Sequence, residues 1–376
     1  MTIAQQTAPD ALRPPAPFPL SVLELGGRLQ DTPAEQAVQD MVATARTADT
    51  SGYHRFWVAE HHASTKTASS FPAVLIAHLA TQTARIRVGS GGVMLPNHPP
   101  FAVAEQFATL QALTPGRIDL GLGRSMVATV TNRRLVEEAL RLDTRLISQF
   151  PALIDDLLGF LHHRGPDRNR FHGLTLSPHT ATAPEVHILG ASEDSARIAA
   201  ERGLPFAYGY HLGRSKCRPQ AAARYRAAFD PGPDGARPHL IVSVNAVCAA
   251  TDEEAEDQAL STAAYRVDTA EETAQKGPLS PVRANFLARR ALTELNVVHG
   301  SPATVNARLE AIAAELGADE IMVVPYELTG AGRCRTLRLT ASARQSQGAA
   351  AASGAGVGAG AGVGVGAGRG TARAQG

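Results

Sequence analysis

The sequence has few cysteines, few aromatic residues and almost no imbalance of charge. Its three cysteines, Cys217, Cys248 and Cys334, are odd in number and far apart. Neither a disulfide framework nor a zinc site of paired Cys and His ligands is therefore expected. Aromatic residues make up 5% of the 376 residues, and the formal net charge is +1. This composition argues against a nucleic-acid surface, which needs basic residues and stacking rings.

Long apolar runs and targeting patterns are also missing. No stretch of about 18 apolar residues is present, so we expect no membrane-spanning helix and no membrane partner. The first residues show no charged region followed by an apolar core, so we expect no secretory signal and a location in the reducing cytoplasm. A Gly-x-Gly-x-x-Gly fingerprint after a strand and a Walker phosphate loop are absent as well.

Residues 85–125 contain the strand–helix–strand pattern that builds parallel sheets. An apolar run at 86–95 is followed by an amphipathic helix pattern and by a second apolar run that ends at Gly123. Gly91 and Gly92 stand near the carboxyl end of the first strand. In parallel α/β folds ligands bind at that edge, and glycine lets the backbone approach a flat ligand closely.

Eight short apolar runs, mostly separated by helix patterns, are predicted to be strands. They lie at 18–25, 55–59, 86–95, 118–122, 186–189, 205–208, 239–249 and 320–324. Eight parallel β/α units close into a barrel, and the chain length fits that architecture. On the strand pattern alone, an open doubly wound sheet stays a competing prediction.

Both ends of the chain and one internal segment lack these patterns. Residues 1–16 are expected to be a disordered leader, and the Gly/Ala-rich residues 346–376 a disordered tail. Such compositions bury too little surface to offset the entropy lost on ordering. The polar residues 266–299 are predicted to be an irregular insertion. One barrel domain would then span residues 17–345.

Several short motifs together resemble the bacterial-luciferase-like family of flavin-dependent monooxygenases. They are Ala-Glu-His-His at 59–62, Val-Gly-Ser-Gly-Gly-Val-Met-Leu-Pro at 88–96, His-Pro at 98–99, Ala-Glu at 104–105 and Gly-Arg-Ile-Asp-Leu-Gly-Leu-Gly-Arg at 116–124. The resemblance covers roughly Phe18 to Val324. It implies a luciferase-like (β/α)8 barrel of the TIM type.

The sequence Glu60-His61-His62 follows the second predicted strand, at the edge of a barrel where ligands bind. A histidine there can exchange a proton near neutral pH, although a histidine that only hydrogen-bonds its neighbours is the plainer interpretation. The resemblance implies that His61 assists flavin oxygen chemistry and that Glu60 and His62 shape the site. It also implies an unusual peptide bond, in some members a non-proline cis bond, between Gly91 and Gly92 beneath the flavin ring.

Gly190, Ala191 and Ser192 form a predicted strand-to-helix turn after the fifth strand, and Ser195 follows three residues later. Backbone N–H groups at a helix N-terminus bind phosphate, but an ordinary serine N-cap gives the same pattern. The resemblance implies that this turn and Arg124, which follows the fourth strand, hold the phosphate of FMN.

By this resemblance the protein is a monooxygenase that uses reduced FMN and O2 to oxygenate a small organic substrate. A separate flavin reductase would supply the reduced FMN. Two other functions stay open: a deazaflavin-dependent dehydrogenase on the same barrel, and a flavin-binding barrel without catalysis. The loop at 125–132 is bulkier than the Gly-rich loop that the family pattern suggests, so the substrate is left open. A homodimer is also left open.

Overall fold

The computed structural model describes residues 18–125, 133–162, 171, 173–233, 235–269 and 279–354. Its β-strands are β1 Leu20–Glu24, β2 Arg55–Val58, β3 Arg87–Met94, β4 Ile118–Gly123, β5 Glu185–Gly190, β6 Phe206–Tyr208, β7 Leu240–Cys248, β8 Val298–Gly300 and β9 Glu320–Pro325.

The α-helices of the described residues pack around these strands. They are α1 Ala34–Thr50, α2 Pro72–Gln82, α3 Pro100–Leu113, α4 Arg133–Ala139, α5 Phe150–His162, α6 Glu193–Ala200, α7 Gln220–Ala227, α8 Asp252–Asp268, α9 Pro281–Glu294, α10 Pro302–Leu316 and α11 Gly330–Gly354. Short 3-10 helices lie at Leu95–Asn97, Thr144–Ile147 and Tyr210–Leu212. None of the helices in the described ranges has the length and apolar character needed to cross a bilayer.

Eight parallel strands form a closed ring in the order β6-β5-β4-β3-β2-β1-β9-β7, and β6 pairs with β7 to close it. This confirms the predicted TIM-type (β/α)8 barrel and rules out the open sheet. All eight predicted strands belong to the ring. The additional strand β8 pairs only with the carboxyl end of β7, where Val298 lies opposite Ala246, so it lies outside the ring.

Residues 266–299 were predicted to be an irregular insertion, and the described parts, 266–269 and 279–299, differ from that prediction. Helix α8 continues to Asp268, α9 occupies Pro281–Glu294, and β8 begins at Val298. The helix was missed because its buried face is narrow and formed by Ala288 and Leu292, which pack on alanines of α8. Such a face gives a weak apolar period in an otherwise polar segment.

The predicted disordered ends are only partly covered by the described residues. Helix α11 runs to Gly354, so its backbone continues nine residues into the segment predicted to be a disordered tail. The rest of that tail, residues 355–376, lies outside the described residues, as do the predicted leader at 1–16 and the loop residues 126–132.

The interior of the barrel is filled in layers. At its amino end, Arg55 makes ion pairs with Asp119 at 3.0 Å, Glu185 at 2.9 Å and Glu320 at 3.2 Å. Above this layer lies an apolar layer of inward-pointing side chains from β1, β2, β6, β7 and β9, namely Leu23, Trp57, Ala207, Ile241, Met322 and Val324. The amino end is thus closed by packed side chains, which leaves the carboxyl end of the barrel for a ligand.

The buried carboxyl group of Glu327, just after β9, leads us to expect that the stability of the fold depends on pH. Burial raises the pKa of Glu327 to about 7, and Thr336 donates a hydrogen bond to its Oε1 at 2.5 Å. Because the pKa of Glu327 is higher in the folded chain than in the unfolded chain, its contribution to stability is fully present below the pKa of the unfolded chain. That contribution is lost as the pH rises through the folded-state pKa of about 7. Between pH 5 and pH 9 we expect the free energy of unfolding of wild type to fall by about 2–3 kcal/mol more than that of Glu327→Gln. Urea unfolding at the two pH values measures the difference. Parallel pH profiles for the two proteins would contradict this.

Candidate functional site

The chain leaving β2 directs His61 into the mouth of the barrel. Side chains alternate along a strand, so His61 lies on the same side as Ala59 and the interior Trp57. Burial lowers the pKa of His61, although the carbonyl of Leu25 and the carboxylate of Glu60 oppose that shift. Within the described part of the chain, its Nδ1 is buried without a hydrogen-bond partner. The lowered pKa favours the neutral imidazole for His61.

Glu60 and His62 face the opposite way and form a separate network. Oε1 of Glu60 lies 2.7 Å from Nε2 of His62 and 2.8 Å from Nε2 of His98. The backbone N–H of Met94 donates to the other carboxylate oxygen at 2.9 Å. Burial alone would disfavour the charge on Glu60, but the hydrogen bonds from His62 and His98 lower its pKa to about 2. The network fixes the loop after β2 against the turn after β3.

Gly91 and Gly92 lie in β3, where the pairing register with β4 shifts between Ser90 and Val93. The peptide bond between the two glycines is cis, the conformation that the resemblance implied for some members. A Cβ atom on Gly91 would lie 2.4 Å from Cδ1 of Leu23, and one on Gly92 would lie 2.7 Å from the carbonyl oxygen of Gly121. Neither position can hold a larger residue without a shift of its neighbours.

The predicted strand-to-helix turn is present between β5 and α6. Ser192 is the N-cap of α6, where its Oγ accepts a hydrogen bond from the backbone N–H of Ser195 at 3.2 Å. The two serine hydroxyls lie 3.1 Å apart. A Cβ on Gly190 would lie 2.3 Å from Oγ of Ser195, so Gly190 lets this side chain pack beneath the turn, beside Ala191. The serine hydroxyls therefore shape the helix terminus, and the α6 backbone N–H groups remain the natural donors to an anion.

Arg124 lies next to this helix terminus. Its Nη1 is 3.7 Å from Oδ2 of Asp194, and both side chains are more than one-third exposed. The strands that carry the predicted cofactor residues, β3, β4 and β5, are neighbours in the ring. The structure thus brings Gly91, Gly92, Arg124 and the α6 terminus to one sector of the carboxyl end.

A second histidine at the mouth, His211, was not predicted. It lies in the 3-10 helix Tyr210–Leu212 after β6, and its Nδ1 is 2.7 Å from Oγ of Ser243. Asn245 holds its backbone by donating to the carbonyl oxygen at 2.8 Å. Burial lowers the pKa of His211 to about 4, and the neighbouring His61 acts in the same direction. The signal in the sequence was a histidine just after a strand, the same signal that identified His61.

Comparison with known proteins defines the family. The profile of the luciferase-like monooxygenases matches residues 20–320. The chain is 35% identical over 319 residues to a luciferase-like monooxygenase of Escherichia coli (strain K12), covering 81% of this chain and 90% of that protein. It is 37% identical over 250 residues to the N-acetyl-S-alkylcysteine monooxygenase of Bacillus subtilis (strain 168), covering 66% and 73%. The crystal structure of apo-MsnO8 matches with a TM-score of 0.74 and 35% identity, covering 87% and 98%.

The chain therefore belongs to the luciferase-like monooxygenase family, as its sequence motifs indicated.

Proposed function

We propose that the protein is a monooxygenase that uses reduced FMN, supplied by a separate reductase, and O2 to oxygenate a small organic substrate. The observation that carries the proposal is the convergence at one end of the barrel. The neutral imidazole of His61 faces the interior there, beside the sector that holds Gly91, Gly92, Arg124 and the α6 terminus.

The residues present fit a flavin mononucleotide. The α6 N-terminus supplies backbone donors for a phosphate, and Arg124 supplies a positive charge beside them. Gly91 and Gly92 place no side chain between this part of β3 and a bound flat ring, although the Cβ position of Gly91 is filled by Leu23. When bound, reduced FMN supplies the electrons that O2 activation requires.

The work of the chain itself is to position the reactants, exclude water and manage protons. The barrel wall and the closed amino end keep bulk water from the interior, where electrostatic interactions are strong. His61 is neutral, so it can accept a proton at its unpartnered nitrogen or donate one from the other. Proton transfer by such a positioned group is the role that we assign to His61.

The runner-up function is a deazaflavin-dependent dehydrogenase. Deazaflavin carries a long acidic tail, whereas FMN carries a single phosphate. Two carboxylates, Glu193 and Asp194, lie in the first turn of α6 beside the proposed phosphate site. Their charge disfavours additional negative charge there, which favours FMN.

The relative from Bacillus subtilis suggests the first substrate class to test. Its name states that it acts on N-acetyl-S-alkylcysteines, and we infer that this chain also oxygenates a small thioether of that kind. We also place the protein in the cytoplasm, where its buried free thiols, Cys217, Cys248 and Cys334, stay reduced.

Anaerobic titration of the purified chain with reduced FMN, oxidised FMN and deazaflavin, followed by fluorescence, tests the choice of cofactor. We expect saturable binding of reduced FMN and weaker binding of deazaflavin. Tighter binding of deazaflavin would favour the dehydrogenase. Binding of FMN without any reaction of the reduced form with O2 and thioether probes would favour a non-catalytic flavin-binding barrel.

Arg124→Gln is expected to weaken the binding of reduced FMN by about tenfold, because a hydrogen bond to a charged group contributes about 1.5–3 kcal/mol and this arginine is partly exposed. The matched control is Arg224→Gln. Arg224 forms an ion pair at 2.9 Å with Glu193, which lies in the first turn of α6. We assign Arg224 no contact with the phosphate. Equal losses of affinity in the two variants would show that Arg124 does not contact the phosphate.

A further inference from the structure

His211 stands out because its hydrogen bonds fix which ring nitrogen carries the proton. Its Nδ1 lies 2.7 Å from Oγ of Ser243. That oxygen lies in turn 3.0 Å from the carbonyl oxygen of Tyr208. A carbonyl only accepts hydrogen bonds, so the single hydroxyl proton of Ser243 is donated to Tyr208. The serine oxygen must therefore accept its hydrogen bond from Nδ1–H of His211.

The other ring nitrogen, Nε2, is consequently unprotonated in the neutral imidazole. The two ring nitrogens point in diverging directions, and Nδ1 points down to Ser243. Ser243 is an inward-facing residue of β7, paired in register with the interior Met322. Nε2 thus points away from Ser243, at the carboxyl end of the barrel where His61 also lies. Among the described residues, no hydrogen bond to Nε2 of His211 is present.

The surroundings of His211 keep the ring neutral. Burial is the main cause of its lowered pKa, and the two nearby basic groups, His61 and Lys216, act in the same direction. A neutral histidine with a fixed tautomer is a hydrogen-bond acceptor and a proton acceptor at physiological pH. His61 lies close by, so a positive charge on His61 would disfavour a proton on His211.

We propose that His211 is a second catalytic residue of this site, whose Nε2 accepts a proton at the reacting centre while Ser243 holds the ring in place. This role rests on the proposed monooxygenase function. In that reaction the two hydrogens of reduced FMN and one oxygen atom of O2 leave as water, and the other oxygen atom enters the substrate. Protons must therefore be taken up and delivered within the site. Nε2 would take one of these two hydrogens as a proton, becoming an imidazolium, and would then give it to the oxygen that leaves as water.

The first test needs no cofactor. In the chain labelled with ¹⁵N-histidine, NMR from pH 5 to pH 8 reports the tautomer and charge of each ring, and the variant His211→Asn assigns the signal. We expect His211 to be neutral with its proton on Nδ1 over this range. Ser243→Ala should remove the preference for that tautomer. A proton on Nε2, or titration of His211 near its ordinary pKa of about 6.5, would overturn the proposal.

The second test measures both binding and turnover with reduced FMN, O2 and the thioether probes. His211→Asn keeps a donor for Ser243 but has no group at the position of Nε2. We expect turnover to fall by about 100-fold or more, with the Kd of reduced FMN within about twofold of wild type. The control is His78→Asn, an exposed histidine on α2, which should match wild type.

The outcomes separate two kinds of failure. Normal FMN binding with unchanged turnover in His211→Asn would overturn the role of His211 alone. Absence of reduced FMN binding by wild type would overturn the proposed function and this role with it. A loss of FMN affinity that accounts for the whole loss of turnover would assign His211 to cofactor positioning instead.

Discussion

Replacing His61 with alanine is expected to lower the rate of oxygenation by about 100- to 10,000-fold, the usual contribution of a positioned proton-transfer group. The Kd of reduced FMN should change little, because the proposed phosphate and ring contacts come from β3, β4 and β5, whereas His61 follows β2. Single-turnover kinetics with saturating reduced FMN separate the two effects. Added imidazole should restore part of the rate, since the deleted ring leaves room for it.

The matched control for His61→Ala is His62→Gln. His62 points away from the barrel interior and donates to Glu60, and glutamine keeps a donor for that contact. We expect this variant to lose much less activity than His61→Ala. If His62→Gln is the more damaged of the two, the assignment of roles within Glu60-His61-His62 is wrong.

Replacing Arg55 with methionine is expected to destabilise the fold by about 3–5 kcal/mol. Arg55 is almost fully buried, as are its partners Asp119 and Glu320. Removing the guanidinium leaves Glu320 without its arginine partner and leaves Asp119 with Arg87 as its remaining ion-pair partner. Leaving a buried carboxylate without its counter-charge costs more than the intact network contributes. Urea unfolding at pH 7 measures the loss.

The control for Arg55→Met is Arg197→Met, which breaks an exposed ion pair with Glu201 on α6. Exposed pairs contribute about 0–1 kcal/mol, so this variant should unfold close to wild type. If Arg55→Met lowers the free energy of unfolding as little as Arg197→Met does, the stability of the barrel floor does not depend on its ion network.

The ring of strands was predictable because each strand is a compact apolar run bounded by turn residues. Strand β8 was not, since Val298–Gly300 contains only three residues and pairs at the end of β7. Helix α9 was missed because its buried face is narrow and contains only Ala288 and Leu292. Local pattern carries no information about such tertiary packing.

The candidate site was predictable only where a local motif stood at the end of a strand. His61 and the turn at Ser192 carry that signal. The pairing of Arg124 with Asp194 depends on the approach of β4 to α6, which sequence alone does not show. The tautomer of His211 depends on Ser243, 32 residues away, and no local pattern connects these two residues.

The most direct test of the central claim is rapid mixing of the chain, loaded anaerobically with reduced FMN, with O2-saturated buffer, followed by flavin absorbance. We predict a transient spectrum that differs from both reduced and oxidised FMN and decays faster when a thioether substrate is present. Reoxidation of the flavin at the rate of free reduced FMN, without a transient and without any effect of substrate, would contradict the assignment of this chain as a reduced-FMN-dependent monooxygenase.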